Sequence, residues 1–171
     1  MKKMILLAVM AFSLLSMNAQ EPLSFEKVIT VDSVGKDVIY SGLKEWFALN
    51  LNSKEALEVD DRSTGVMVAN LSTDYFKSGF WYTSYTGYIF YKVNIQIRDG
   101  RYKVSVANFE HDTKVKSVSR LGLITTGEYD RPSINKSYDK KVWAELQLKA
   151  KDIADNVFIQ FGKLKFKSDN W

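Results

Sequence analysis

An Asp-Gly pair at residues 99 and 100, set between two alternating segments, constrains the fold of this chain more than any other feature. A two-residue Asp-Gly loop favours the turn whose twist matches that of paired antiparallel strands. A slip of one residue would mix the two faces of the strands, so turn and pattern predict one register. With Arg98 and Arg101 flanking the turn, the apolar cross-strand pairs are Ile97 with Tyr102, Ile95 with Val104, and Val93 with Val106.

Two amphipathic helices are predicted on either side of this hairpin, because apolar residues recur there at spacings of three and four. The first is expected to begin at Asp32 or Ser33, whose side-chain oxygen can accept from the free N–H groups of the first turn, and to end within 50–53. The second begins near Tyr138 and stops at Gly162. Their apolar stripes are Ile39, Leu43, Trp46, Phe47 and Leu51 in the first, and Val142, Trp143, Leu146, Ala150, Ile153, Ala154, Val157, Phe158 and Phe161 in the second.

Three further segments, 23–31, 56–60 and 65–71, alternate as half-buried strands do. Segment 110–137 is polar and long for a connection within a compact domain. It either forms a short extra strand or packs locally through Val118, Leu121, Leu123 and Ile124. The order β-α-β-β-β-β-α is satisfied by one curved antiparallel sheet with two helices on one face. The predicted fold class is therefore α+β, a two-layer sandwich.

The first twenty residues have the charged, apolar and small-residue regions of a secretory signal peptide. Lys2 and Lys3 precede an apolar run at 4–15, which is shorter than the roughly 20 residues that cross a bilayer as a helix. Cleavage is expected near Ala19 or Gln20, and an uncleaved N-terminal anchor is the alternative. We therefore expect a signal peptide at 1–20, a single domain at 21–171, and no integral membrane segment after cleavage.

The chain contains no cysteine, which excludes disulfide bonds and the lipid anchor of an exported lipoprotein. Its net charge is +4, from 24 lysines and arginines against 20 acidic residues, and loss of Lys2 and Lys3 with the signal lowers it to +2. Nucleic acid is not an expected partner, because its binding needs a concentrated basic face. These features predict a soluble protein exported to the periplasm or outer envelope of a Gram-negative-type bacterium.

Nine aromatic residues crowd into positions 75–91. Aromatic side chains bury large areas and suit strands, so part of this run belongs to the core, notably around Phe90 and Tyr91. Residues 77–87 also contain the glycines and small polar residues typical of a loop. Trp81, Tyr82 and Tyr85 are therefore candidate ligand-binding residues, as an exposed platform for a sugar ring, a peptide or a partner surface. A purely structural role in the core is the alternative.

His111 is the only histidine and lies between Glu110 and Asp112. Adjacent residues of a strand point to opposite faces, so these three do not converge on a metal, and a solvated strand end is preferred. Asp60 and Asp61 lack the spacing of a calcium loop and the pattern of a glycosidase pair. Signatures of serine nucleophiles, phosphate loops and dinucleotide sites are absent. We expect no catalytic residues, no metal ligands and no cofactor.

Three stretches of the sequence together suggest a family: FEKVITVDSVGKDVIYSGLKEWF, EVDDRSTGVMV and YKVNIQIRDGRYKVSVANFE. They are followed by the second amphipathic helix. Over about 25–161, the chain resembles an exported bacterial family of unknown function with a TATA-binding-protein-like fold. The resemblance implies that fold, a signal peptide and an envelope location. It implies no activity and no catalytic residues, and the name of the fold does not imply DNA binding.

The function expected from these features is that of an exported non-enzymatic domain that binds a protein, peptide or glycan partner in the cell envelope. The first alternative is an enzyme or inhibitor acting on envelope glycans or peptides. A cleft with two convergent carboxylates, one of them with a raised pKa, would favour it. The second alternative is a small-molecule carrier, which requires a closed apolar pocket between the helices and the sheet.

Overall fold

The computed structural model describes residues 20–51, 56–114 and 119–166. The predicted signal peptide lies outside these ranges except for Gln20, and Val118 of the predicted extra strand also lies outside them. The described elements are β1 (Ser24–Thr30), α1 (Lys36–Asn50), β2 (Ala56–Asp61), β3 (Val66–Tyr75), a 3₁₀ helix (Phe80–Tyr85), β4 (Gly87–Arg98), β5 (Arg101–Thr113), β6 (Gly122–Leu123) and α2 (Lys136–Gly162).

The six strands form one antiparallel sheet in the order β1-β5-β4-β3-β2, with the short β6 paired to the far end of β5. The hairpin of β4 and β5 has the predicted register, since Ile97 pairs with Tyr102 and Arg98 with Arg101. The α+β sandwich and the order of its long elements are therefore confirmed. β3 continues to Tyr75, four residues beyond the predicted end, because it pairs with β4 as far as Gly87.

One face of the sheet and both helices enclose a single core. The apolar stripes of α1 and α2 supply most of its helical side, and the two helices meet where the Trp46 ring contacts that of Phe161 at 4.6 Å between centroids. The Tyr102 hydroxyl donates to the Phe161 carbonyl oxygen at 2.8 Å, which ties β5 to the end of α2. The opposite face of the sheet, which we call the outer face, carries Gln96, Arg98 and other polar residues.

The start of α1 differs from the prediction. The helix begins at Lys36, and neither Asp32 nor Ser33 caps it. The Lys36 N–H donates instead to Oδ1 of Asp99, in the β4–β5 turn, at 2.7 Å. The predicted cap is wrong because the hairpin turn packs against the start of the helix. A residue distant in sequence therefore supplies the acceptor that was expected from a local side chain.

Candidate functional site

The nine aromatic residues at 75–91, the aromatic run, divide between core and surface. The division falls at the connection from β3 to β4, residues 76–86, which we call the aromatic loop. Phe76, Phe80 and Trp81 are 75%, 87% and 69% exposed, whereas Tyr75 and Tyr85 are each only 2% exposed. Phe80 and Trp81 contact each other edge to face, with 5.2 Å between ring centroids. Phenylalanine is normally among the most buried residue types, so exposed phenylalanines beside buried tyrosines are the reverse of the expected arrangement.

The three sequence-predicted residues occupy different environments. Trp81 is exposed, and Tyr82 is half-buried with its ring 5.3 Å from that of Tyr138. Tyr85 is buried, so the structure corrects its placement on an exposed platform. Sequence reasoning missed Phe76 and Phe80 as surface candidates. The glycine and small polar residues that placed Trp81 in a loop surround Phe80 equally, and that signal was sufficient to include it.

Anchors to α2 hold the aromatic loop in place. The Tyr85 hydroxyl donates to Oδ1 of Asp139 at 2.5 Å, and burial raises the pKa of this phenol well above its ordinary value. At the other end of the loop, the Tyr75 hydroxyl donates to Glu145 at 2.9 Å, and the Lys77 ammonium pairs with the same carboxylate. Both ends are therefore fixed to one helix, which holds the exposed rings on a supported segment.

His111 lies behind the aromatic loop, fully buried. Its Nδ1 accepts from the Leu121 N–H at 3.2 Å, so the neutral ring carries its proton on Nε2 and donates to the Tyr85 carbonyl oxygen at 2.8 Å. Burial lowers its pKa. The predicted solvated strand end is wrong because β5 has a bulge, where Asn108 takes a φ of 56° and the register with β4 shifts. The extra residue turns the following odd-numbered side chains toward the core.

The two adjacent acids of β2 are engaged in local contacts. Asp60 pairs with the Lys44 ammonium at 2.6 Å and accepts from the Tyr40 hydroxyl. Asp61 accepts from the hydroxyls of Ser63 and Thr64, both at 2.7 Å, and these hydrogen bonds lower its pKa to about 2. Among residues 20–51, 56–114 and 119–166, no group of histidine and acidic side chains has the arrangement of a metal site.

Comparison with known proteins identifies the architecture. The sequence model of the family described as a domain of unknown function (DUF4468) with TBP-like fold matches residues 25–112, just over half of the chain. The chain belongs to the DUF4468 family. The resemblance stated from the sequence is thereby confirmed, although the family match ends before α2.

Two solved structures share the fold of this DUF4468 chain. A TBP-like protein from Parabacteroides distasonis is 11% identical, with a TM-score of 0.58, and the match covers 84% of this chain and 95% of that one. A DUF4468 family protein from Bacteroides ovatus is 13% identical, with a TM-score of 0.56 over 91% and 95% of the two chains. No curated protein matches the chain. At these identities the likeness establishes the fold, and chemistry has to be argued from residues.

A cleft of about 410 Å³ lies beside the aromatic loop of this DUF4468 domain, lined by Tyr85, Tyr129, Ser133 and Asp139 among others. Of the described residues that line it, Asp139 is the one acid, and both of its oxygens are bonded, to the hydroxyls of Tyr85 and Ser133. This carboxylate anchors the first turn of α2 to its surroundings. Within the described part of the chain, no helix is both long and apolar enough to cross a membrane.

Proposed function

We propose that this protein is an exported, non-enzymatic binding domain whose aromatic loop contacts an apolar segment of a protein or peptide partner in the cell envelope. One observation carries the proposal: Phe76, Phe80 and Trp81 are largely exposed on a loop whose two ends are anchored to α2. Exposed aromatic side chains on a supported segment are typical of the central contacts of protein interfaces.

The chemistry around the rings favours a polypeptide over a glycan. A sugar ring stacked on an aromatic side chain also needs polar groups beside it for its hydroxyls. The Thr83 hydroxyl donates to the Gly79 carbonyl oxygen at 3.1 Å, and the Ser84 hydroxyl accepts from Ser119 at 2.9 Å. Each of these two loop hydroxyls already makes a hydrogen bond within the chain, and two of the three exposed rings are phenylalanines without a hydrogen-bonding group. Apolar contact is therefore the main interaction that the loop offers.

Two observations bear on the alternative functions. An envelope hydrolase is expected to have two carboxylates converging on a cleft, one of them with a raised pKa. Of the described residues that line the cleft beside Tyr85, Asp139 is the one acid, and both of its oxygens are bonded. Asp37 and Glu45 line a second cleft of about 480 Å³ beside α1, but Arg62 pairs with Asp37 and lowers the pKa of that carboxylate.

A small-molecule carrier needs a closed apolar pocket between sheet and helices. Large side chains such as Phe47 and Phe161 pack together in that space, with 5.9 Å between their ring centroids. Both observations support the binding function.

Photo-crosslinking in intact cells tests this proposal. A photoreactive phenylalanine analogue is placed at Phe80 or Trp81 and, as matched controls, at Leu148 or Ile159 on α2, which are 66% and 51% exposed. We expect one discrete adduct from the aromatic loop and none from the controls. The identified partner is then purified and titrated with the wild type and with a Phe80→Ser, Trp81→Ser variant.

The expected loss of affinity in that variant is at least about thirtyfold, since truncation of an aromatic hot-spot residue costs about 2 kcal/mol or more. The same preparations are tested for binding to purified peptidoglycan sacculi. Equal crosslinking from the loop and from α2, or sacculus binding that the variant reduces without any protein adduct, would overturn the polypeptide assignment. N-terminal sequencing of the protein from envelope fractions tests export separately, since an intact residue 1 contradicts cleavage.

A further inference from the structure

A second surface lies at the opposite end of the sheet from the aromatic loop, on the outer face beside the Asp99-Gly100 turn. β4 runs from Gly87, next to the aromatic loop, to Arg98 at the turn. Its twelve residues rise about 3.3 Å each, so roughly 35 Å separates the two ends. An inference about the turn end is therefore independent of the proposed function of the aromatic loop.

The register of the hairpin places two arginines directly opposite each other. Arg98 pairs with Arg101, and the next pair on the same face is Gln96 with Lys103. Like charges opposite each other on paired strands are destabilising unless a counter-charge lies between them. The hairpin thus brings three cations to one face within two cross-strand pairs.

In the part of the chain that the structure describes, neither guanidinium pairs with an acid. Within residues 20–51, 56–114 and 119–166, no carboxylate lies within 4.0 Å of Arg98 or Arg101, and neither side chain forms a hydrogen bond. Asp99 between them in sequence accepts from the first N–H of α1 instead. Lys103 pairs with Glu26 at 3.3 Å. The three cations of the recess lining and Glu26 sum to +2, and Asp99, whose carboxylate faces the start of α1, lowers the charge of the whole turn end to +1.

The same residues line a recess of about 260 Å³. Its walls are Val28, Gln96, Arg98, Arg101, Tyr102 and Lys103. Guanidinium groups donate in pairs to the oxygens of phosphate and carboxylate, and a phosphate monoester carries about −1.5 to −2 at neutral pH. A phosphate monoester matches the +2 of this recess better than a carboxylate does. We propose that the recess on the outer face binds a phosphate monoester group, held by Arg98 and Arg101 with Lys103 and the Gln96 amide beside it.

Nuclear magnetic resonance of the arginine Nε–H groups tests this site directly. The wild-type protein is titrated with inorganic phosphate, and with sodium chloride at matched ionic strength. We expect saturable shifts of the Arg98 and Arg101 signals with phosphate alone. Backbone amide signals of residues 96–103 follow the same titration in an Arg98→Gln, Arg101→Gln variant, which lacks both Nε–H groups. Its apparent affinity is expected to fall by at least about tenfold, because charge-assisted hydrogen bonds are lost.

Arg62→Gln, Arg120→Gln is the matched control, since it also removes two positive charges, from arginines that pair elsewhere, Arg62 with Asp37 at 2.8 Å and Arg120 with Asp112 at 3.3 Å. Sedimentation with vesicles of phosphatidylcholine that contain phosphatidic acid, a phosphate monoester, against vesicles of phosphatidylcholine alone, separates the sources of the phosphate. Phosphatidic acid binding that is lost in the Arg98→Gln, Arg101→Gln variant and kept in the control supports a lipid headgroup. Saturable phosphate shifts without vesicle binding support a soluble phosphate. Absence of both, or the same phosphate response in the double variant, overturns the proposal, and the wild-type titration decides it even if that variant does not fold.

Discussion

Protonation of His111 is expected to destabilise the fold in mildly acidic solution. The ring is neutral in the folded chain, where Nδ1 accepts from the Leu121 N–H and Nε2 donates to the Tyr85 carbonyl oxygen. Adding a proton to Nδ1 replaces an acceptor by a donor that faces another donor. Burial is the main reason that the pKa of this histidine lies below its ordinary value of 6.5. Unfolding exposes the ring to water and restores that ordinary value.

The sign and size of the effect follow from these two states. Since the unfolded chain binds the proton more tightly, the stabilising contribution is complete above pH 6.5 and decreases as the pH falls below it. If the folded ring stays neutral, the free energy of unfolding decreases by about 1.4 kcal/mol between about pH 7.5 and 5.5. Acids with a lowered pKa, such as Asp61 at about 2, titrate below this window.

Urea denaturation at several pH values measures this change. Because His111 is the only histidine, a His111→Gln variant is a direct control whose unfolding free energy is expected to be flat across the same window. The imidazole C–H resonances give a second test, because they are expected not to titrate in the folded protein near pH 6.5. A stability of the wild type that does not change with pH, or a ring that titrates at its ordinary value, would refute the reasoning.

Three substitutions, one of them with a control variant, test the contacts that hold the sheet, the loop and the helices together. Tyr85→Phe removes the hydroxyl that donates to Oδ1 of Asp139, and we expect urea denaturation to show a loss of about 2 kcal/mol. Gly87→Ala puts a Cβ 1.9 Å from a backbone oxygen of β5, so circular dichroism is expected to show an unfolded or severely destabilised chain. Gly162→Ala, whose Cβ meets nothing within 4 Å, is its control and is expected to raise stability by up to about 1 kcal/mol. Asp99→Ala removes the acceptor at the start of α1 and is expected to lower the thermal midpoint, with a cost of about 1 kcal/mol.

The hairpin was predictable because two independent local signals agree. The Asp-Gly turn and the alternation on both sides of it specify the same register, and the structure has it. The start of α1 was not predictable in this way. Its capping oxygen belongs to Asp99, 63 residues away from Lys36, and a local pattern contains no information about that contact.

The position of His111 was unpredictable for a related reason. The alternation that places Tyr102, Val104 and Val106 in the core would place residue 111 on the opposite face. The bulge at Asn108 reverses this placement. Asparagine tolerates the left-handed region better than most residues, but that tolerance does not by itself distinguish a bulge from a turn. Which residues of the aromatic run are buried and which are exposed could not be predicted either. All of them are hydrophobic in the sequence, and they differ only in the hydrogen-bonding partners that the fold gives them.

The hydrogen bonds of the buried tyrosines explain why the exposed rings are informative about function. Tyr75 and Tyr85 are buried because acceptors on α2 satisfy their hydroxyls, whereas Phe76, Phe80 and Trp81 remain exposed although two of them have no polar atom to satisfy. Full burial of an aromatic ring stabilises a fold by about 1.5–3 kcal/mol, and each exposed ring lacks that stabilisation. The same free energy contributes to binding when a partner covers the rings. Serine at the exposed positions is therefore expected to change the free energy of unfolding by no more than about 0.5 kcal/mol while weakening binding by about 2 kcal/mol or more. Equal losses in both measurements would mean that the rings serve the fold.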